Sequence, residues 1–208
     1  MDYEPQALFL TPCVDSLSDR FIERYNVEFF KTDYSLVNTN IIEVRKNNKP
    51  LKSKQKKQEL FKLLKELKEP SIVYVRSPSE AYKLAIEYID CLEPIPLVNS
   101  NLSIFEWMDE NISEQWNLKK LMKYGIGAHN GALPRHIVSS EIEMFNKGIL
   151  SIMFATVSLI EGVNTVAKNI LIYSKNKGTK IIDFFDFSNI KGRAGRMGKY
   201  YTCLLYTS

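Results

Sequence analysis

Ser71-Ile72-Val73-Tyr74-Val75-Arg76-Ser77-Pro78-Ser79-Glu80 is the stretch that decides the fold. Its first five residues form a compact, largely β-branched apolar run of the kind buried on both faces of a parallel sheet. Ser77, Pro78 and Glu80 follow at once as a capping box with proline at the first helical position. A strand that feeds directly into a helix is the opening half of a βαβ unit.

Upstream, Leu60, Leu64 and Leu67 recur at helical spacing beside Phe61 and Leu63, and Pro70 ends that helix. Ile41, Ile42 and Val44 predict a strand, Ala7 to Leu10 another, and Asp15 caps an amphipathic helix through Leu17, Phe21, Ile22 and Tyr25. The Asn-rich, basic stretch from Arg45 to Pro50 reads as a linker. Downstream, further strands are expected at Ile126 to Ala128, Ile149 to Ala155 and Asn169 to Tyr173. Pro134 opens a helix with Val138, Ile142 and Phe145 on its apolar stripe and Gly148 at its end. Residues 101–124, with Trp107 and Trp116, read as a helical insertion. Strands alternating with helices predict an α/β fold with a doubly wound parallel sheet.

Composition agrees with a folded chain. Of 208 residues 45% are hydrophobic and 12% aromatic, too many for a disordered tail. No apolar run reaches the ~18 residues of a membrane helix. The N-terminus lacks the basic and apolar regions of a signal peptide, so a soluble, cytoplasmic protein is expected. Cys13, Cys91 and Cys203 are scattered, which argues against zinc and disulfide frameworks. Arg45, Lys46, Lys49, Lys52, Lys54, Lys56 and Lys57 outnumber the whole net charge of +4, so the basicity is local. Such a run is ordinarily a solvated face or linker, with nucleic-acid contact the minority reading.

In an open parallel sheet ligands bind at the carboxyl ends of the strands. The residues there are Arg76, Ser77 and Pro78 after the first strand, His129, Asn130 and Gly131 after the second, and Thr156 after the third. Hydroxyls, an amide, a glycine backbone and helix N-termini bind phosphate without reading bases. The plain alternative is that they are ordinary caps and turns. His129 and His136 have no metal-ligand spacing and read as turn and helix-start residues. Near the C-terminus, with Asp186 or Ser188 as cap, Asn189, Arg193 and Arg196 fall on one helical stripe. Gly192 and Gly195 thin that helix at about 1 kcal/mol each, as a close-approaching ligand would require. Two guanidiniums on one face suit a polyanion such as a nucleotide phosphate, or else a structural ion-pair face.

Three segments together resemble the second RecA-like lobe of superfamily-two helicases of the Ski-type, DEAD/DEAH-box-related branch. Residues 71–77 resemble motif IV. Residues 154–164, preceded by 128–135, resemble motif V and the segment before it, and residues 189–196 resemble motif VI. The likeness covers about residues 70–200 and implies a RecA-like C-terminal lobe with ATP and Mg2+ as cofactors and nucleic acid as partner. It implies that Arg193 and Arg196 reach the γ-phosphate, with Arg196 the better arginine finger, and that Asn189 stands where the family has Gln. Gly162, Asn164 and Gly192 would lie near the nucleotide, while Ser77, Thr156, Asn130 and Gly131 would touch nucleic-acid phosphates. Leu10-Thr11-Pro12 departs from the family's Ser-Ala-Thr.

No G-x-x-x-x-G-K-[ST] is present, so the chain cannot cradle the β and γ phosphates alone, and Mg2+ falls mainly to a first lobe of the same polypeptide. Asp109-Glu110 looks like a Walker-B pair but sits in the insertion and reads as surface. Gly125, Gly127 and Gly131 miss the dinucleotide fingerprint by one residue. The expected organisation is 1–50 as the end of a first lobe and linker, 51–202 as the C-terminal lobe, and 203–208 as adapter read-through. The expected function is part of an ATP-dependent helicase or translocase; the alternative is a non-catalytic nucleic-acid-binding or scaffold module on the same fold.

Overall fold

A computed structural model describes residues 16–30, 38–43, 51–92, 102–156, 167–191 and 202–207. The chain divides into two units, Met1–Ser35 and Leu36–Ser208. This boundary lies upstream of the 50/51 division drawn from the sequence. The strand β1 (Asn38–Glu43), expected to belong with the first fifty residues, is part of the second unit's sheet.

In the first unit, α1 (Asp19–Tyr25) starts after an extended Ser18 and ends at Asn26 in the left-handed region. Asp19 in its first turn and Arg24 in its last complement the helix dipole. The helix thus begins four residues after the expected cap, Asp15, which lies outside the described residues along with the strand expected at Ala7 to Leu10.

The second unit is built on six parallel strands in the order β1-β8-β5-β2-β4-β3, the doubly wound parallel sheet expected. Helix α2 (Ser53–Glu66) buries Leu60 and Leu64 and leads to β2 (Ser71–Tyr74). Then come α3 (Pro78–Ile89), α4 (Ser103–Asn111), α5 (Asn117–Lys123) and β3 (Ile126–His129). Next are α6 (Arg135–Asn146), β4 (Ile152–Ala155) and β5 (Asn169–Ile172). A short antiparallel hairpin, β6 (Asn176–Lys177) and β7 (Lys180–Ile181), precedes α7 (Phe184–Lys191) and β8 (Thr202–Thr207).

All four residues of each of β2, β3, β4 and β5 are buried, as continuous apolar runs in a doubly covered sheet should be. The 101–124 insertion is helical as expected. Phe105 and Met108 of α4 and Leu118, Leu121 and Met122 of α5 enter the core, each large apolar side chain contributing roughly 1.5–3 kcal/mol. Asp109 ion-pairs with the buried Lys119, which ties α4 to α5 and accounts for that residue without catalysis.

Helix α6 differs from expectation in the face it buries. Ile137, Glu141, Met144 and Phe145 point inward, while Val138 and Ile142 are half-exposed. The expected stripe and the observed one are one residue apart, and counting apolar positions passes over Glu141. The helix closes as foreseen at Gly148, whose φ of 75° is open to glycine. Gly148 N–H donates to Phe145 O at 3.0 Å and Ile149 N–H to Met144 O at 2.9 Å, the paired bonds of a Schellman ending. The N–H groups of Ile149 and Leu150 both go to Met144 O in that ending, and β4 starts at Ile152 rather than Ile149. Strand β8 fills the slot between β1 and β5 through main-chain bonding, and five of the six residues set apart as adapter-like supply it.

Candidate nucleic-acid interface

Strand β4 lies between β2 and β3, with Ala155 in register with Tyr74 on one side and His129 on the other. The three predicted strand ends therefore emerge side by side. At strand spacings of about 4.8 Å, Ser77, Thr156 and Asn130 head adjacent lanes of one edge.

Ser77 is the N-cap of α3, and its Oγ accepts from Glu80 N–H at 3.3 Å. A serine hydroxyl that accepts in this way retains its own proton to donate. Glu80 reaches back as a capping-box acid should, although its Oε2 takes Arg76 N–H at 3.0 Å rather than that of Ser77. Arg76 is exposed and lies within 3.7 Å of Glu80 Oε1. Thr156 N–H bonds His129 O at 3.4 Å, joining the ends of β4 and β3.

Asn130 is 3% exposed and turned inward. Its Oδ1 accepts from Ala132 N–H at 3.0 Å, closing an Asx turn, and its amide bonds the Tyr82 hydroxyl. That side chain holds the loop, and the exposed element is Gly131. Burial pushes the Tyr82 hydroxyl up to about 12, with the nearby Glu141 carboxylate adding to the rise and the Asn130 bond opposing it.

Beneath the loop sits a group the sequence reading missed. Glu141 is wholly buried, its Oε1 accepting from Ala128 N–H at 2.7 Å and its Oε2 lying 3.1 Å from His129 Nδ1. A carboxylate can only accept, so it fixes the imidazole proton on Nδ1. His129 is thus a buried strand-end residue with a carboxylate partner, correcting its reading as a turn residue. His136, by contrast, lies in the first turn of α6 as expected, edge-on to Trp107 with ring centroids 4.2 Å apart. Gly127 belongs to the same arrangement, because a Cβ there would come within 2.8 Å of Glu141 Oε1. The available signal was a glycine in a buried strand, which marks a close approach. Beside this corner an open groove of about 780 Å³ runs from Asn130 and Gly131 along α6 past Arg135, Ser139 and Asn146.

The hairpin β6–β7 was not foreseen either. It stands over the end of β2, where Tyr74 Oη donates to Asn176 O at 3.3 Å and Gly178 N–H to Arg76 O at 3.0 Å. Helix α7 contains Asn189, half-buried, but its start is set by Asp183, whose Oδ1 takes Asp186 N–H at 2.7 Å. The cap is therefore neither Asp186 nor Ser188. Asp186 instead pairs with Lys177 at 3.2 Å. Gly162, Asn164, Gly192, Arg193 and Arg196 lie outside the described residues. Among the described residues no three His, Cys, Asp or Glu side chains converge as metal ligands, and no helix is long and apolar enough to cross a membrane.

A six-stranded parallel sheet wound both ways, with phosphate-suited groups at adjacent strand ends, is the architecture of a RecA-like lobe. Relatives of known kind agree. The chain is 40% identical over 131 residues to Anti-bacteriophage protein B of Escherichia coli strain K12, covering 63% of this chain and 18% of that protein. It is 28% identical over 146 residues to Antiviral helicase SKI2 of Saccharomyces cerevisiae, covering 62% and 11%. To Exosome RNA helicase MTR4 of Mus musculus it is 27% identical over 158 residues, covering 67% and 15%. No protein-family model matches. The chain is similar to Ski-type helicases of superfamily two, and it spans less than a fifth of the length of each of these relatives.

Proposed function

We propose that this chain is the second RecA-like lobe of an ATP-dependent nucleic-acid helicase or translocase, and that its carboxyl edge carries one strand by its phosphates. The juxtaposition of Ser77, Thr156 and Gly131 on neighbouring lanes supports this reading most directly. The Ser77 proton, the Gly131 main chain and the Thr156 hydroxyl are donors suited to phosphate oxygens, and the N-terminus of α3 adds its dipole. Asn130 contributes by shaping the turn.

ATP would bind between this lobe and a P-loop lobe that also holds Mg2+, which supplies charge neutralisation during phosphoryl transfer. On this side Asn189, Gly162, Asn164 and Gly192 would border the nucleotide, and Arg193 and Arg196 would stabilise charge on the transferring phosphoryl group. RNA is the favoured strand, since two of the relatives similar to this chain are named as RNA helicases.

Thr156→Ala is expected to weaken binding of a labelled single-stranded oligonucleotide at low salt and to reduce the salt slope by about one phosphate contact. Unchanged binding would overturn the phosphate track. The shorter Asn189 in the family's Gln position supports the second reading, a lobe that binds without hydrolysis. In the full-length protein, Arg196→Ala separates the two. A loss of ATP turnover on the order of a thousandfold supports the arginine finger. Unchanged turnover would overturn the arginine finger, and no turnover in the parent would leave the non-catalytic module.

A further inference from the structure

The lysine run continues into α2, whose N-cap is Lys52 and whose opening residues include Lys54, Lys56 and Lys57 with no acid in the first turn. Cations there oppose the helix dipole, so the arrangement has an electrostatic cost within the chain. Lys57 is paired, with Glu87 Oε2 at 2.9 Å. Lys56 stands 5.1 Å over the Tyr173 ring, half-buried, in the field of Lys175 and Glu80. Both Glu80 oxygens already face Arg76. Lys175 is anchored at the hairpin base, where Ile182 N–H donates to Lys175 O at 2.9 Å. Lys56 thus carries a half-buried charge over the Tyr173 ring, and burial together with Lys175 pushes its ammonium down, with Glu80 opposing.

Tyr173 follows β5, the strand hydrogen-bonded to β2 on the side away from β4. Its N–H donates to Tyr74 O at 3.0 Å, which fixes this cluster one lane over from Ser77. A phosphate here would complete the surplus charge and continue the line of donors. We propose that Lys56 and Lys175, grouped about Tyr173, bind a backbone phosphate of the same nucleic-acid strand that crosses Ser77, extending its path from β4 over β2 to β5. The proposal rests on the phosphate-track reading above.

The test is fluorescence anisotropy of the chain with labelled oligouridylate and its deoxy counterpart across a salt series. Lys56→Gln and Lys175→Gln are each expected to weaken binding several-fold and lower the salt slope by about one, while Lys62→Gln on the exposed face of α2 removes the same charge without either effect. The melting temperature of Lys56→Gln should hold or rise, because the half-buried cation faces another; a merely structural lysine would lose both stability and binding. If both variants bind as the parent does while Thr156→Ala is weakened, this site is absent and the track stands. If all three bind as the parent does, the track falls with it. If Lys56→Gln removes stabilisation by inorganic phosphate but leaves oligonucleotide affinity unchanged, the site takes a free anion and the proposal is overturned.

Discussion

The ends of β2 and β3 open onto the same edge and hold their loops by opposite means. At β2 the bonds are local: Ser77 takes the N–H of a residue three positions on, and Glu80 that of a residue four positions back. At β3 the support comes from Glu141, thirteen residues from Ala128 and on another element. The local device leaves a hydroxyl near solvent with a proton to give. The long-range device leaves its polar side chains satisfied underneath and presents main chain at Gly131. On the proposed track one end would bind through a side chain, and the other would offer backbone held in shape from below.

Removing Glu141 should break this contrast most severely. Glu141→Ala leaves Ala128 N–H and the His129 ring buried without partners, with an expected loss of about 3–5 kcal/mol in urea unfolding. Glu141→Gln should lose less, since its amide oxygen can still accept from Ala128 and its NH2 can donate to Nδ1, moving the His129 proton to Nε2. Nitrogen chemical shifts of the ring would report that exchange. Equal losses for Ala and Gln would show the carboxylate to be filler. Gly127→Ala should cost about 1–3 kcal/mol, as its methyl meets Oε1 at 2.8 Å. In the Glu141→Ala background that cost should largely vanish; additive costs in the double-mutant cycle would mean the two positions do not act together.

The same contrast governs what could be read from sequence. Ser71 to Glu80 was legible because strand, proline, cap and acid are contiguous, and the three strand ends followed from the sheet rule once the strands were placed. Glu141 was not, because a buried carboxylate interrupts an apolar count and its partners lie in β3. The Asp183 cap was displaced by Asp186 and Ser188, nearby residues of equal capping chemistry. The hairpin at 176–181 has two-residue strands, too short for any alternation, and draws its support from Tyr74 and Arg76 across the sheet edge. The lysines of α2 were visible as a run, but what distinguishes Lys56 from Lys57 is a ring at 5.1 Å and a carboxylate at 2.9 Å, both supplied by distant segments.

The smallest expected effect bears most directly on the β2 end. Ser77→Ala removes the acceptor for Glu80 N–H and should cost about 1 kcal/mol of stability, while Ser77→Gly should cost only a few tenths, because glycine is tolerated at an N-cap where alanine is not. Both remove the hydroxyl proton. If Ser77 serves only as a cap, oligonucleotide affinity of the glycine variant should match the parent, and the alanine variant should follow its stability. If the proton is given to a phosphate, both variants lose binding to the same extent although their stabilities differ. Stability and affinity then move independently at one atom, which is what a cap that also binds requires and what a cap alone forbids.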